Sequence, residues 1–298
     1  MRELKLIEEI RKRAGSTGRG VKAGIGDDCA VLKYDSKRYL LWGTDMLVEG
    51  THFRIKEASY SKIGRKAVAV NISDIAAMGG IPRYITVTIG IPDRMGQAAV
   101  RDIYKGIFRI CRDHDIKVVG GDTNRSARLI IDVSIMGFVE KERLVKRSGA
   151  GEGEVVLITG PVRDGRKEHL DFVPRLKEAR FLSRRCNVSS MIDVSDGIAL
   201  DMGRICSESG VGCRLYANAI PLSKGLVLRD ALYFGESFEL LFTMGINDAR
   251  KLFLDIRSRR RRPEYFVIGE VTRKSEGMHL IEEEGQPRPL RMEGFRHL

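Results

Sequence analysis

No run of about eighteen apolar residues occurs in this chain, which excludes a membrane-spanning helix. Cysteine is sparse: Cys29, Cys111, Cys186, Cys206 and Cys213 are odd in number and form no CxxC pair. That pattern argues against a disulfide framework and against a thiolate zinc site, and most of the five sit in apolar contexts where a small thiol packs well. The reading is of a reducing, cytoplasmic setting. No GxGxxG follows a strand-like run and no GxxxxGK[ST] is present, so neither the dinucleotide fingerprint nor the ordinary P-loop applies. Gly18-Arg19-Gly20-Val21-Lys22 has a superficial likeness to a phosphate loop but lacks its spacing and the hydroxyl after lysine. No Ser-His-Asp set or paired-carboxylate base stands out.

With 298 residues, 43% of them hydrophobic and 31% charged, the chain is long enough for one large core or two moderate domains without covalent staples. Near the amino terminus, Leu4, Ile7 and Ile10 fall at helical spacing among alternating charges, the pattern of an amphipathic helix and not of a signal peptide. The formal charge of +12, with Arg257 and Arg259 to Arg262 clustered before Pro263, raises nucleic-acid binding as an alternative. Against it, these arginines follow a helical stretch, Asn247 to Ile256, and lack the interleaved aromatics of a single-strand binder. A solvated helix end accounts for them, and net positive charge equally favours encounter with anionic substrates. The expectation is no nucleic acid and no membrane.

Apolar runs predict strands at Tyr39–Gly43, Tyr84–Ile91, Lys117–Val119, Leu129–Val139, Val155–Thr159, Met191–Val194, Phe238–Met244 and Tyr265–Val271. Helical patterns lie between them at Lys62–Met78, Gln97–Asp113, Pro174–Arg185, Gly197–Ser207 and Asn247–Ile256. Helices and strands alternate throughout, an α/β (α+β) chain of two mixed α/β domains. Val133–Val139 can pair with Thr86–Ile91 in one sheet, and the polar stretch Glu140–Glu154 then reads as a linker. A boundary near residue 145 divides the chain into 1–145 and 146–298.

Four short aspartate motifs punctuate these elements: Gly26-Asp27-Asp28, Thr44-Asp45, Gly120-Gly121-Asp122 and Asp193-Val194-Ser195-Asp196-Gly197. Carboxylates gathered from distant strand ends repel unless neutralised, and hard divalent cations, Mg²⁺ foremost, bridging to a polyphosphate are the plainest neutraliser. Glycines before Asp28 let the backbone approach a ligand closely. Thr44-Asp45 is expected at the C-terminal end of its strand, and His52 follows as a donor to a phosphate ester or as a structural imidazole. Asn71 and Asp74 share a face of a mostly buried helix, where a carboxylate needs a cation or backbone donors. The paired glycines before Asp122 expose amides to phosphate oxygens. Asp196 suits a helix cap as well as a ligand, whereas Asp193 lies on the strand side with no helix of its own to cap.

With these residues in hand, the chain resembles the thiamine-monophosphate kinases, within the superfamily of aminoimidazole-ribonucleotide synthetase-like ATP enzymes. The likeness runs through Gly24–Asp28, Thr44–Phe53, Ala67–Gly80, Gly120–Thr123, Arg147–Ala150, Ile192–Asp201 and Gly235–Glu239, in order along nearly the whole length. The resemblance implies transfer of the γ-phosphoryl of ATP to thiamine monophosphate, several Mg²⁺ ions, and a homodimer whose N-terminal sheets pair. Carried over by position, Asp28, Thr44, Asp45, Asp74, Asp122 and Asp193 would ligate Mg²⁺, with Asp196 on a further ion. Gly121, Asp122, Arg147, Ser195 and Tyr104 would contact ATP, and His52, Glu236 and Phe295 thiamine monophosphate. Asp45, Asp122 and Arg147 would carry the catalysis. The N-terminal half would serve ATP, Mg²⁺ and dimerisation, and the C-terminal half would complete the site.

Family members usually read Gly-Gly-Glu-Asp-Tyr-Glu where this chain has Phe234-Gly235-Glu236-Ser237-Phe238-Glu239, and a short segment, Val162–Val173, replaces a longer region around His-Leu-Arg-Pro. His169-Leu170 and Pro174-Arg175 stand as its remnants. These departures bear on thiamine-ring recognition rather than on phosphoryl transfer. Another ATP-using enzyme of the same superfamily, with a different acceptor, is the alternative.

Overall fold

The computed structural model describes residues 2–15, 17–257 and 264–295. Helix α1 (Arg2–Ala14) leads into strands β1 (Val21–Ala23), β2 (Ala30–Lys33) and β3 (Arg38–Val48). Helix α2 (Tyr60–Ala77), strand β4 (Ile81–Ile91), helix α3 (Gln97–Asp113) and strands β5 (Lys117–Arg125) and β6 (Ile130–Glu140) follow. The six strands form one sheet in the order β1-β2-β3-β6-β4-β5, in which only β4 and β5 run parallel.

Side-chain alternation decides which face of this sheet is covered. Leu41 and Leu47 of β3, Ile85, Val87 and Ile89 of β4, and Ile131, Val133 and Ile135 of β6 are buried on the face that carries α2 and α3. The residues between them point the other way, and that open face exposes Trp42, Met46 and Tyr84. The two helices cross backbone to backbone. A Cβ at Gly64 would stand 2.1 Å from the Ile103 carbonyl oxygen, and one at Gly106 would stand 1.8 Å from that of Ser61. Small residues let α2 sink: Ser59 caps it by accepting from the Lys62 N–H, and nearly everything from Ile63 to Ala77 is buried.

The second half contains β7 (Val155–Thr159), α4 (Gly165–Glu168), α5 (Leu176–Arg185), β8 (Val188–Asp193), α6 (Ile198–Ser209) and β9 (Val211–Tyr216). It continues with α7 (Leu228–Tyr233), β10 (Leu240–Met244), α8 (Ile246–Arg257), β11 (Tyr265–Arg273), β12 (Met278–Ile281) and β13 (Pro287–Pro289). Its seven-stranded sheet runs β13-β12-β9-β11-β7-β10-β8. One face packs on α6 and α7 through Ile198, Met202, Ile205 and Leu232. The other packs on α5, α8 and the end of α2, where Ala76 and Ala77 join Leu182, Phe242 and Leu252. Among the described residues no helix is long and apolar enough to cross a membrane.

Two strands run further than their apolar cores suggested. β3 continues through Thr44 and Asp45 to Val48, paired residue for residue with β6, and β5 continues through Gly120–Thr123 to Arg125. Both acidic motifs therefore lie inside strands and not at their ends, because ladder hydrogen bonds carry polar residues along once register is set. The stretch read as a linker is packed: Val145 is buried, its N–H donates to the Met78 oxygen, and the Lys146 oxygen accepts from Met191. Arg257 closes α8, whereas Arg259 to Arg262 lie outside the described residues.

Candidate active site

The site forms where β8 ends against the middle of α2. Ser73 of α2 donates to Oδ2 of Asp193 at 2.5 Å, tying the second sheet to the first. Asp74 follows one residue on, beside Gly43 of β3, where a Cβ would lie at ordinary contact distance, 3.9 Å, from Oδ2 of Asp74. Asp28, Asp74 and Asp193 each bring a carboxylate oxygen within 4.8 Å of the others. Oδ2 of Asp28 is buried without a hydrogen-bond partner among the described residues. All the donors are hard oxygens, and an orphaned carboxylate oxygen among three acids is a place for a hard divalent cation.

Electrostatics report the same strain. Burial first, then the charges of Asp45 and Asp193, push the Asp74 carboxyl well above the usual range. Asp193 is pushed up by burial and by Asp28. Asp27 is raised to about 7 by burial and by the neighbouring Asp28 charge, although the Arg147 N–H donates to its Oδ1 at 3.1 Å. Opposite charge comes from Arg147, whose Nη2 donates to Oδ1 of Asp28 at 2.8 Å; burial disfavours the guanidinium, but Asp28 outweighs it. Ser209 fixes this segment by donating to the Arg147 oxygen and accepting from the Gly149 and Ala150 N–H groups.

On the other side of Ser195, Asp196 is held by a second arginine that sequence reading did not single out. Arg204 donates to Asp196 and to Asp201, at 2.6 Å each, and Asp201 in turn accepts from the Asp196 N–H. Asp196 is therefore not the cap of α6, whose preceding residue is Gly197 at φ +108°. The i,i+3 spacing of Asp201 and Arg204 on a helix was the available signal.

A cavity of about 1200 Å³ spans both halves. Asp27, Asp28, Thr44, Asp45, Asp74, Asp193, Asp196, Arg147 and Ser195 line it together with His52, Glu236 and Phe295, and α1 borders it, anchored by Arg11 on Glu208 of α6. His52 accepts from the Val48 N–H through Nδ1 at 3.0 Å, which leaves Nε2 as the protonated nitrogen. The Phe295 N–H donates to the Asp196 oxygen. Phe238 also lines the cavity and stacks on Phe172, ring centroids 4.0 Å apart, while Ser237 turns inward and accepts from the Arg163 N–H.

Three expected members stand elsewhere. Asp122 pairs with Thr88, and Thr88 with Asp132, in a row across the sheet that ends at Met46, so its exposed carboxylate is on the open face, opposite the side that carries Asp45. Among the described residues it accepts locally, from the Thr123 N–H and the Asn124 side-chain amide. Gly121 is inside β5, with φ +157° and no room for a side chain against the Val87 carbonyl. Tyr104 packs on α3 beside Phe108 and does not line the cavity. Thr44 borders the cavity, but its hydroxyl donates to the Val133 oxygen and to Asp132.

Models of the AIR synthase related protein family match along the chain, the N-terminal domain over residues 26–139 and the C-terminal domain over residues 137–281. Thiamine-monophosphate kinase of Escherichia coli strain K12 is 32% identical, covering 99% of this chain and 98% of that protein. The corresponding kinase of Aquifex aeolicus is 32% identical over 81% of this chain and 85% of its own length. Among solved structures, AaThiL complexed with AMPPCP and TMP superposes with a TM-score of 0.84 at 28% identity, covering 99% of this chain and 97% of that one. E. coli HypE, a hydrogenase maturation protein, shares the fold at a TM-score of 0.75 and 19% identity.

Proposed function

This chain belongs to the AIR synthase related family and to its thiamine-monophosphate kinases, and we propose that it transfers the γ-phosphoryl group of ATP to thiamine monophosphate in this cavity. The observation that carries the reading is the meeting of Asp28, Asp74 and Asp193, from three separate elements, within 4.8 Å beside Arg147 and in the same cavity as His52, Glu236 and Phe295. Asp28, Asp74 and Asp193, with Asp45, would hold Mg²⁺, and Asp196 with its Arg204 support would hold a further ion. Mg²⁺ bound there neutralises the triphosphate and lowers repulsion between two anions.

The chain's own groups supply orientation. Arg147, always ionised, offers a fixed fork to phosphate oxygens, and Ser195 lies at the turn between Asp193 and Asp196. His52 presents an Nε2–H and Glu236 a carboxylate to the acceptor. No general base is needed, because a phosphate monoester is already an anionic nucleophile near neutral pH. α1 and the loop before β10 form part of the cavity wall.

The open sheet face with Trp42, Met46 and Tyr84 is where a second copy would pair, and Gly121 and Asp122 enter this reading only in such a homodimer. The division near residue 145 and a cytoplasmic location belong to the same proposal. A coupled assay with ATP, Mg²⁺ and a panel of phosphorylated pyrimidine and thiazole compounds tests it. ADP release that depends on thiamine monophosphate is expected; ADP release indifferent to it would defeat the reading.

A further inference from the structure

Lys66 sits in the middle of α2 with 0% of its surface exposed. An ammonium group there is costly unless each of its N–H bonds finds an acceptor. All three do. Nζ donates to the main-chain oxygen of His52 at 2.8 Å, to Nδ1 of His169 at 2.7 Å and to Oε1 of Glu236. Three acceptors saturate the group, so Lys66 keeps no donor for a ligand in the cavity. His169 can accept through Nδ1 only as a neutral ring protonated on Nε2; burial and then the Lys66 charge lower its pKa to about 4. Oε2 of Glu236 stands 3.3 Å from that same Nδ1.

The three acceptors arrive on separate pieces of chain. His52 follows β3, His169 closes α4 in the shortened 162–173 segment, and Glu236 lies in the loop before β10. That last loop is strained: Glu236 has φ +67° and Phe238 φ +55°. Non-glycine residues hold such angles, which strain the backbone, only where their surroundings over-determine them. Here the surroundings are the Lys66 contact, the Glu236 N–H on the Ser195 oxygen, and the stack of Phe238 on Phe172.

We infer that Lys66 is a positioning residue for the phosphate acceptor, locking the Glu236 carboxylate and the His52 loop into one rigid edge of the cavity, with His169 as the third member of the knot. The inference rests on the kinase reading and deepens it. The knot joins α2 to both segments in which this chain departs from the usual family wording, so it sets acceptor recognition and leaves the nucleotide side alone.

A mutant cycle tests it. Steady-state kinetics and AMPPCP binding are measured for the wild type, Lys66→Met, Glu236→Gln and the double variant. Lys66→Met is expected to raise the KM for thiamine monophosphate at least about tenfold while the Kd for AMPPCP stays within about twofold, and the double variant should lose clearly less than the sum of the two single losses. His169→Leu, which keeps the buried lysine, should raise the same KM less and show the same lack of additivity. Equal losses on both substrates, or losses that add, would make Lys66 a mere staple between the halves and overturn the inference. If Lys66→Met lacks a cooperative melting transition, the His169→Leu cycle decides by the same criterion. A wild type without acceptor-dependent ADP release overturns the kinase reading and this inference with it.

Discussion

Arg147 and Asp28 meet through a single 2.8 Å contact, and each keeps a buried atom with no hydrogen-bond partner among the described residues, Nε of Arg147 and Oδ2 of Asp28. In the proposed reading a cation beside the Asp28 carboxylate and an anion beside the Arg147 guanidinium would complete this pair. Leaving such atoms unmet costs the folded chain, and a ligand recovers that cost.

Asp74 makes no arginine ion pair among the described residues, and burial and its acidic neighbours disfavour its charge more than Arg147 offsets. Asp74→Asn should therefore raise the melting temperature in EDTA and erase the stabilisation by Mg²⁺ expected of the wild type. Turnover of Asp74→Asn, and of Asp45→Asn, should fall at least about a hundredfold at saturating Mg²⁺. Near-normal turnover in both would remove the acidic cluster from the mechanism.

The pH dependence has a fixed sign. Asp27 is raised in the folded chain to about 7, above its ordinary carboxylate value, so the cation-free protein binds protons more readily folded than unfolded. Its stability contribution is full at low pH and is lost as pH rises toward about 7. Mg²⁺ offsets this loss, so the difference in melting temperature between Mg²⁺ and EDTA should widen from pH 5 to pH 8. A gap independent of pH, read by scanning fluorimetry, would contradict the assignment.

Arg147→Lys keeps the charge and loses the planar fork. The KM for ATP should rise and turnover should fall, together by at least about tenfold in kcat/KM, because a point ammonium cannot serve Asp28 and a phosphate at once. Unchanged kinetics would show that charge alone suffices at this position.

The open sheet face gives a test of assembly. If a second copy pairs there as proposed, Met46→Lys, half-exposed on that face, should leave the protein monomeric in light scattering where the wild type is dimeric. If Asp122 serves only in a pair, the same variant should lose activity to the extent that Asp122→Asn does, at least about a hundredfold. A fully active monomer would exclude Asp122 from the reaction.

The crossing of α2 and α3 is fixed by two glycines, and Gly106→Ala would drive a methyl group to 1.8 Å from the Ser61 oxygen. The helices must separate, at a cost of about 2–3 kcal/mol, visible as a lower denaturant midpoint with an unchanged m-value. Since Asp74 and Lys66 ride on α2, turnover should fall with stability.

Period and composition were enough to locate most of the elements. The alternation of β4 and β6 marked them as partners, and small residues from Ala67 to Gly80 marked a buried helix, because one period fixes one face. The short strands β1, β2, β9, β12 and β13 left no such trace, since each has too few residues to show a period and none has the long apolar run that marked β7 and β8. The acidic motifs were likewise legible as candidate ligands, since a carboxylate beside glycine in an apolar context needs a partner. Which of them meet was decided by register and packing alone. One residue of offset along a strand puts Asp45 on the helix side and Asp122 on the open side, and neither local pattern reveals it. Lys66 and His169 became functional candidates only when distant segments closed around them, because the lysine is defined by acceptors, His169 and Glu236, that the linear chain keeps more than a hundred residues away.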